Sequence, residues 1–147
     1  MTPGDEIVVD SNVFVNIALQ THPFHIEAQR LLANCTEIGV EMIAPYWFEI
    51  EADTALRHMI RAGLDGTTAM AAQLTLDQAP VLLVHEPSLR SVVRRIADQL
   101  HQAKLYDAVY VALAQLRGCE FWTADLRLVR NAHSVGLNFV HSLAELG

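Results

Sequence analysis

The run Ile7-Val8-Val9-Asp10-Ser11-Asn12-Val13-Phe14 decides how the rest of the chain reads. Ile7 to Val9 is short, apolar and β-branched, the pattern of a buried strand. Asp10-Ser11-Asn12 then offers polar capping groups ahead of a helix over Val13 to Leu19. A strand that turns at once into a helix opens an alternating α/β chain. The acid at the junction is the unusual part. A carboxylate at the end of a buried strand costs free energy unless something cationic balances it.

The alternation continues outward from there. His22-Pro23-Phe24-His25 breaks the first helix, and a second spans about Ile26 to Asn34 with Ala28, Leu31 and Leu32 apolar. Glu41 to Ala44 is the next strand, and Pro45 marks the turn out of it. Trp47 to Arg61 is helical in period, with Phe48, Ala52, Ala55, Leu56 and Met59 on one face and Gly63 as the stop. An Ala/Thr-rich helix follows from Leu64 to Gln78, then a strand from Val81 to Val84. Helices from Pro87 to about Gln102 and from Tyr106 to Arg117 precede a strand at Glu120 to Thr123. A helix from Leu126 to Ser134 and a strand from Leu137 to Val140 close the chain. With no linker, repeat or low-complexity tract, this predicts one domain over residues 1–147. Its class is α/β, a three-layer α/β/α sandwich around a mainly parallel sheet of about five strands. In such sheets ligands sit beyond the carboxyl ends of the strands, near the point where strand order reverses.

Charge narrows the partners less than it first suggests. Seventeen acids against ten bases give a net charge of −7, which argues against broad duplex binding. Four of the acids belong to the cluster described next, and a bound metal would reverse the local field there. The bases are nine Arg and a single Lys, Lys104, and Arg is suited to bidentate phosphate contact. The apolar stretch Ala108 to Ala114 is far too short to span a bilayer, and Met1 to Glu6 lacks the features of an export signal. Cys35 and Cys119 carry no metal-binding spacing. The expectation is a soluble cytoplasmic protein with no membrane partner and two unpaired thiols.

Three further acids abut apolar runs in the manner of Asp10. Glu51 flanks Trp47, Phe48 and Ile50; Asp107 opens Ala108 to Ala114; Asp125 follows Phe121 to Ala124. Mg²⁺ and Mn²⁺ prefer oxygen ligands and keep several waters, so a few carboxylates from separate elements suit them. No Ser-His-Asp set accompanies these acids, which favours metal-assisted chemistry over a protein nucleophile. His22 and His25 are near neighbours, but no other His or Cys pair stands at partner spacing, so structural zinc is not expected. Each acid also has an ordinary reading. Asp10 and Asp125 can cap helices, Asp107 can favour a helix dipole, and Glu51 can be a solvated edge residue.

The residues around these acids resemble a known family. Val8-Val9-Asp10-Ser11-Asn12-Val13-Phe14 resembles the opening motif of PIN-domain ribonucleases. Tyr106-Asp107-Ala108-x-Tyr110-x-Ala112-Leu113-Ala114 looks like their third acidic motif, and Thr123-Ala124-Asp125-x-x-Leu128 is similar to their fourth. Within that family the likeness is to the toxins of VapBC toxin–antitoxin pairs, and it covers essentially the whole chain. Family spacing from Pro45 selects Glu51 as the second acid, with Glu49 as the fallback, because both flank the apolar stripe from opposite edges. The resemblance implies metal-dependent hydrolysis of RNA to 5′-phosphate and 3′-hydroxyl ends, with one or two ions of Mg²⁺, or Mn²⁺ in its place. It implies Asp10, Asp107, Asp125 and Glu51 as catalytic and metal-binding residues. Ser11, Asn12 and Thr123 match accessory polar positions that hold a carboxylate or a water. Arg127 and Arg130 are candidates for RNA contact, whereas Arg90 and Arg94 read as solvated surface. A cognate antitoxin and a homodimer complete the implied partners, and Trp47 and Ile50 point away from their helix's apolar stripe toward a partner surface.

Three rival readings are weaker. A haloacid-dehalogenase-type phosphatase wants a second Asp two positions after the first, where Asn12 stands. A receiver domain wants paired acids at the first strand and a late Lys after a strand, and Lys104 instead precedes a helix. A catalytically degenerate PIN fold acting as a binding module would be marked by a lost acid, and none is lost.

Overall fold

A computed structural model describes the chain at residues 1–102 and 105–147, so Lys104 lies outside the described residues. Five strands, all parallel, form one sheet: β1 (Glu6–Val9), β2 (Glu41–Ala44), β3 (Val81–Leu83), β4 (Glu120–Thr123) and β5 (Val140–Ser142). Their spatial order is β3-β2-β1-β4-β5. The chain steps outward from β1 to β3, then returns to lay β4 on the other side of β1. Strand order therefore reverses between β1 and β4. Val9 is in register with Trp122, so Asp10 and Thr123 emerge side by side at that reversal. Position in the sheet, more than local sequence, creates the site.

Between the strands run α1 (Ser11–Ala18), α2 (His25–Ile38), α3 (Phe48–Arg61) and α4 (Gly66–Asp77) on the outward path. On the return come α5 (Leu89–Leu100) and α6 (Tyr106–Arg117), with α7 (Leu126–Ser134) joining β4 to β5. Right-handed crossovers put these two groups on opposite faces. The substantial helix–helix packing accordingly pairs α1 with α2, α3 and α4, α3 with α4, and α5 with α6. Both faces of the central strand are covered: Ile7, Val8 and Val9 are buried, as are Ile43 and Phe121 on its neighbours. Burial of each such side chain contributes about 1.5–3 kcal/mol, which makes β1 the anchor of the layers. No helix among the described residues is long and apolar enough to cross a membrane. Cys35 and Cys119 are both free thiols.

Several boundaries differ from the sequence reading, each for a local reason. Helix α1 begins at Ser11, because Asp10 occupies the N-cap position with extended backbone. Helix α2 runs on to Ile38, since Cys35 extends the buried face of Ala28 and Leu31 and Gly39, at φ 86°, supplies the left-handed stop. Helix α5 starts at Leu89, two residues later than expected. The last strand is displaced from Leu137–Val140 to Val140–Ser142. Gly136 and Leu137 are used to close α7, where Leu137 N–H donates to the Ala132 carbonyl, so pairing with β4 begins only afterwards. Ser142 then caps a short 3₁₀ turn over Leu143–Leu146 in a capping box with Glu145.

Candidate active site

Asp10 stands at the N-cap of α1, yet its carboxylate caps nothing. Forgoing that cap gives up about 1 kcal/mol. The side chain instead turns inward and is only 6% exposed. Its Oδ2 accepts from the Thr123 hydroxyl at 2.9 Å and from Asn12 Nδ2 at 3.2 Å, while Ser11 Oγ lies 3.5 Å from Oδ1. Asn12 Oδ1 in turn accepts from Ala124 N–H at 3.0 Å. The Thr123 hydroxyl gives its one proton to Asp10, leaving its lone pairs for Asn12 Nδ2 at 3.2 Å and Asp125 N–H at 3.1 Å. One hydroxyl thus ties the acid after β1 to the acid after β4. Burial pushes the Asp10 carboxyl up to about 7, opposed by the Thr123 hydrogen bond and reinforced by the charges of Asp107 and Glu51. Such an arrangement costs stability.

The other acids approach from three further elements. Asp107, in the first turn of α6, has its pKa raised by burial and then by the charge of Asp125. Glu51, in the first turn of α3, is raised by burial and by Asp107, against a lowering hydrogen bond from Tyr110. Asp125 caps α7, its Oδ1 accepting from Arg127 N–H at 3.0 Å and Leu128 N–H at 3.1 Å. Here the ordinary capping reading holds for one oxygen, which leaves Oδ2 for other work. Between Glu51 and Glu49 the fold separates the two: Glu51 is half-buried and faces Asp10 and Asp107, whereas Glu49 is exposed. The four acids form one electrostatically linked group around the β1–β4 reversal.

A cleft of about 410 Å³ opens beside Asp107 and Asp125 and is also lined by Gln102, Arg127, Arg130 and Asn131. Arg127 and Arg130 are exposed on its rim, next to the acids. Arg90 and Arg94 border a separate apolar groove with Trp47, Leu89, Val93 and Tyr106. Trp47 and Ile50 are exposed, as their position off the apolar stripe suggested.

The sequence agrees with this geometry when set against known proteins. The PIN-domain profile matches residues 7–134, from β1 to the end of α7. The chain belongs to the PIN-domain family. Along 138 residues it is also 29% identical to Ribonuclease VapC3 of Mycobacterium tuberculosis, in strains CDC 1551 / Oshkosh and H37Rv, covering 92% of this chain and 96% of that one. Among solved structures, PAE2754 from Pyrobaculum aerophilum superposes with a TM-score of 0.67 at 18% identity, covering 97% of this chain and 93% of that one. FitAcB from Neisseria gonorrhoeae gives 0.54 at 18% identity, covering 86% and 93%. At that identity both speak for the fold alone.

The donor set of this PIN domain fits a hard divalent cation. It is all oxygen, and the ion pairs among the described residues join Arg117 to Glu6 and Glu86 and His141 to Glu120 and Glu145, leaving the four acids without one. No group of three or more His, Cys, Asp or Glu side chains among the described residues is placed to hold a metal ion by itself. Mg²⁺ and Mn²⁺ do not require such a group, since one or two carboxylates plus water and substrate oxygens satisfy them. The sequence reading of this PIN domain missed Tyr110 as a polar participant. It lies in a quoted motif, but an aromatic residue within an apolar helix reads as core until its hydroxyl is seen against Glu51.

Proposed function

We propose that this PIN domain, acting as one unit over residues 1–147, is a metal-dependent endoribonuclease of the VapC type, the toxin of a toxin–antitoxin pair. The observation that carries the proposal is the gathering of four carboxylates at the β1–β4 reversal, from four separate elements and with no cation paired to them among the described residues. Family membership and the likeness to Ribonuclease VapC3 support the choice of RNA as substrate. Asp10 and Asp107 are the principal ligands for one or two ions, and Asp125 completes the set through its free oxygen or a water. Glu51 ligates metal or orients the attacking water. When bound, Mg²⁺ or Mn²⁺ neutralises charge developing on the phosphate and lowers the pKa of that water. Attack is in line, giving a 5′-phosphate and a 3′-hydroxyl. Ser11, Asn12 and Thr123 hold Asp10 in its rotamer, and Arg127 and Arg130 contact RNA phosphates along the cleft.

Asn12 fits this chemistry better than that of a phosphatase. Its amide is already engaged with Asp10, Thr123 and Ala124, and it has no proton to give a leaving group. As partners we propose an antitoxin that lays a basic side chain among the acids, and a second copy of the chain. Cleavage of RNA by the purified protein with Mn²⁺, with EDTA, and as Asp10→Asn and Asp107→Asn tests the enzyme. Cleavage with Mn²⁺, its loss in EDTA and a fall of at least 100-fold in each variant are expected. Activity indifferent to EDTA or to both substitutions would remove the mechanism.

A further inference from the structure

Tyr110 takes no part in the reading above, yet its hydroxyl lies among the acids. It sits three residues after Asp107 on α6, so both project from the same helix face. The residue is 1% exposed, and its ring stacks on Phe121 of β4 with centroids 5.7 Å apart and planes 19° from parallel. From this fixed ring the hydroxyl reaches across to α3 and donates to Glu51 Oε1 at 3.1 Å. A phenol is protonated at neutral pH, so the hydroxyl serves as the donor to this carboxylate.

What else sets the position of Glu51 is the deciding question. Helices α3 and α6 share little direct packing, whereas α3 rests mainly on α1 and α4. Among the described residues the hydroxyl of Tyr110 is the one group that donates a hydrogen bond to the Glu51 side chain. The rotamer of a half-buried glutamate with three torsions is otherwise loosely held, and repulsion from Asp107 would swing it toward solvent. Asp10 has Thr123 and Asn12 to hold it, and Asp125 has the amides of α7. Glu51 has Tyr110.

We propose that Tyr110 is a positioning residue, whose hydroxyl bridges α6 to α3 and holds the Glu51 carboxylate toward Asp10 and Asp107. The inference rests on the nuclease reading and adds to it a residue that acts only through Glu51. Tyr110→Phe keeps the ring and its stack while removing the hydroxyl. Loss of groups that orient a ligating or catalytic carboxylate costs roughly 10–100-fold. The test measures kcat and KM for RNA cleavage, and Mn²⁺ affinity by calorimetry without RNA, in wild type, Tyr110→Phe, Glu51→Gln and the double variant. Tyr110→Phe should lower kcat by about 10–100-fold with KM unchanged, and weaken Mn²⁺ binding. In the Glu51→Gln background the same change should cost nothing further. Wild-type kcat and Mn²⁺ affinity in Tyr110→Phe overturn the inference and leave the nuclease reading standing. An equal loss in both backgrounds, the mark of general damage to the fold, overturns it as well. A wild-type protein that neither binds Mn²⁺ nor cleaves RNA takes down both.

Discussion

Asp10 is held charged-side-in at a net cost, and the cost has a pH signature. Its carboxyl is raised from 3.8 to about 7 by burial first and by neighbouring acids second. Between those values the folded chain keeps a proton that the unfolded chain has released, so raising the pH favours unfolding. The slope is at most about 1.4 kcal/mol per pH unit across that window, and it vanishes above it. Metal-free Asp10→Asn should therefore melt above wild type at pH 8, with the gap narrowing by pH 5, in thermal scans with EDTA. Equal melting temperatures at pH 8 would contradict the burial of an uncompensated charge. Burial of Asp10 thus costs stability at the proposed site.

Asp125 has a structural role that stands in front of the proposed catalytic one. Its Oδ1 caps α7, so its presence after β4 has a sufficient local explanation. The two roles separate by substitution. Asp125→Ser retains a capping oxygen and should hold stability within about 0.5 kcal/mol of wild type, while Asp125→Ala should lose about 1 kcal/mol in urea denaturation. Both should lose most RNA cleavage if the free carboxylate oxygen matters. Full cleavage by Asp125→Ser would reduce Asp125 to a cap. Helix α3 teaches the converse lesson. Its period identified the buried face of Phe48, Ala52 and Leu56, but Glu49 and Glu51 flank that face equally. Family spacing chose between them, and the packing of α3 gives the physical difference by turning Glu51 toward α6.

At the scale of the molecule, the acids repel one another across the end of the sheet. Two carboxylates near 4 Å interact by ~4 kcal/mol at an effective dielectric of 20, and a divalent ion converts that repulsion to attraction. Mn²⁺ at a hundredfold excess over its Kd should stabilise the folded chain by about 2.7 kcal/mol. For a chain of this size that is a rise in Tm of roughly 5–10 °C, readable by differential scanning fluorimetry. Asp10→Asn and Asp107→Asn should abolish most of it. A wild-type Tm unmoved by millimolar Mn²⁺ would mean that the acids do not assemble around an ion.

The alternation of strand and helix was legible in the residues because buried strands are short β-branched runs and helices carry a 3.6-residue apolar period, both local properties. So were Asp10, Asp107 and Asp125, each marked as a charge beside an apolar stretch. The shifted last strand was not, because Leu137 is apolar enough for either role and only the closure of α7 claims it. Which acids meet, and what holds them, belonged to the tertiary structure alone. The Thr123 hydroxyl reaches Asp10 across 113 residues, and the Tyr110 hydroxyl reaches Glu51 across 59. No local pattern encodes such contacts. They follow from the strand order that sets β1 beside β4 and from the packing of α6 on α5 and the sheet and of α3 on α1 and α4, and both are settled by burial summed over the whole core.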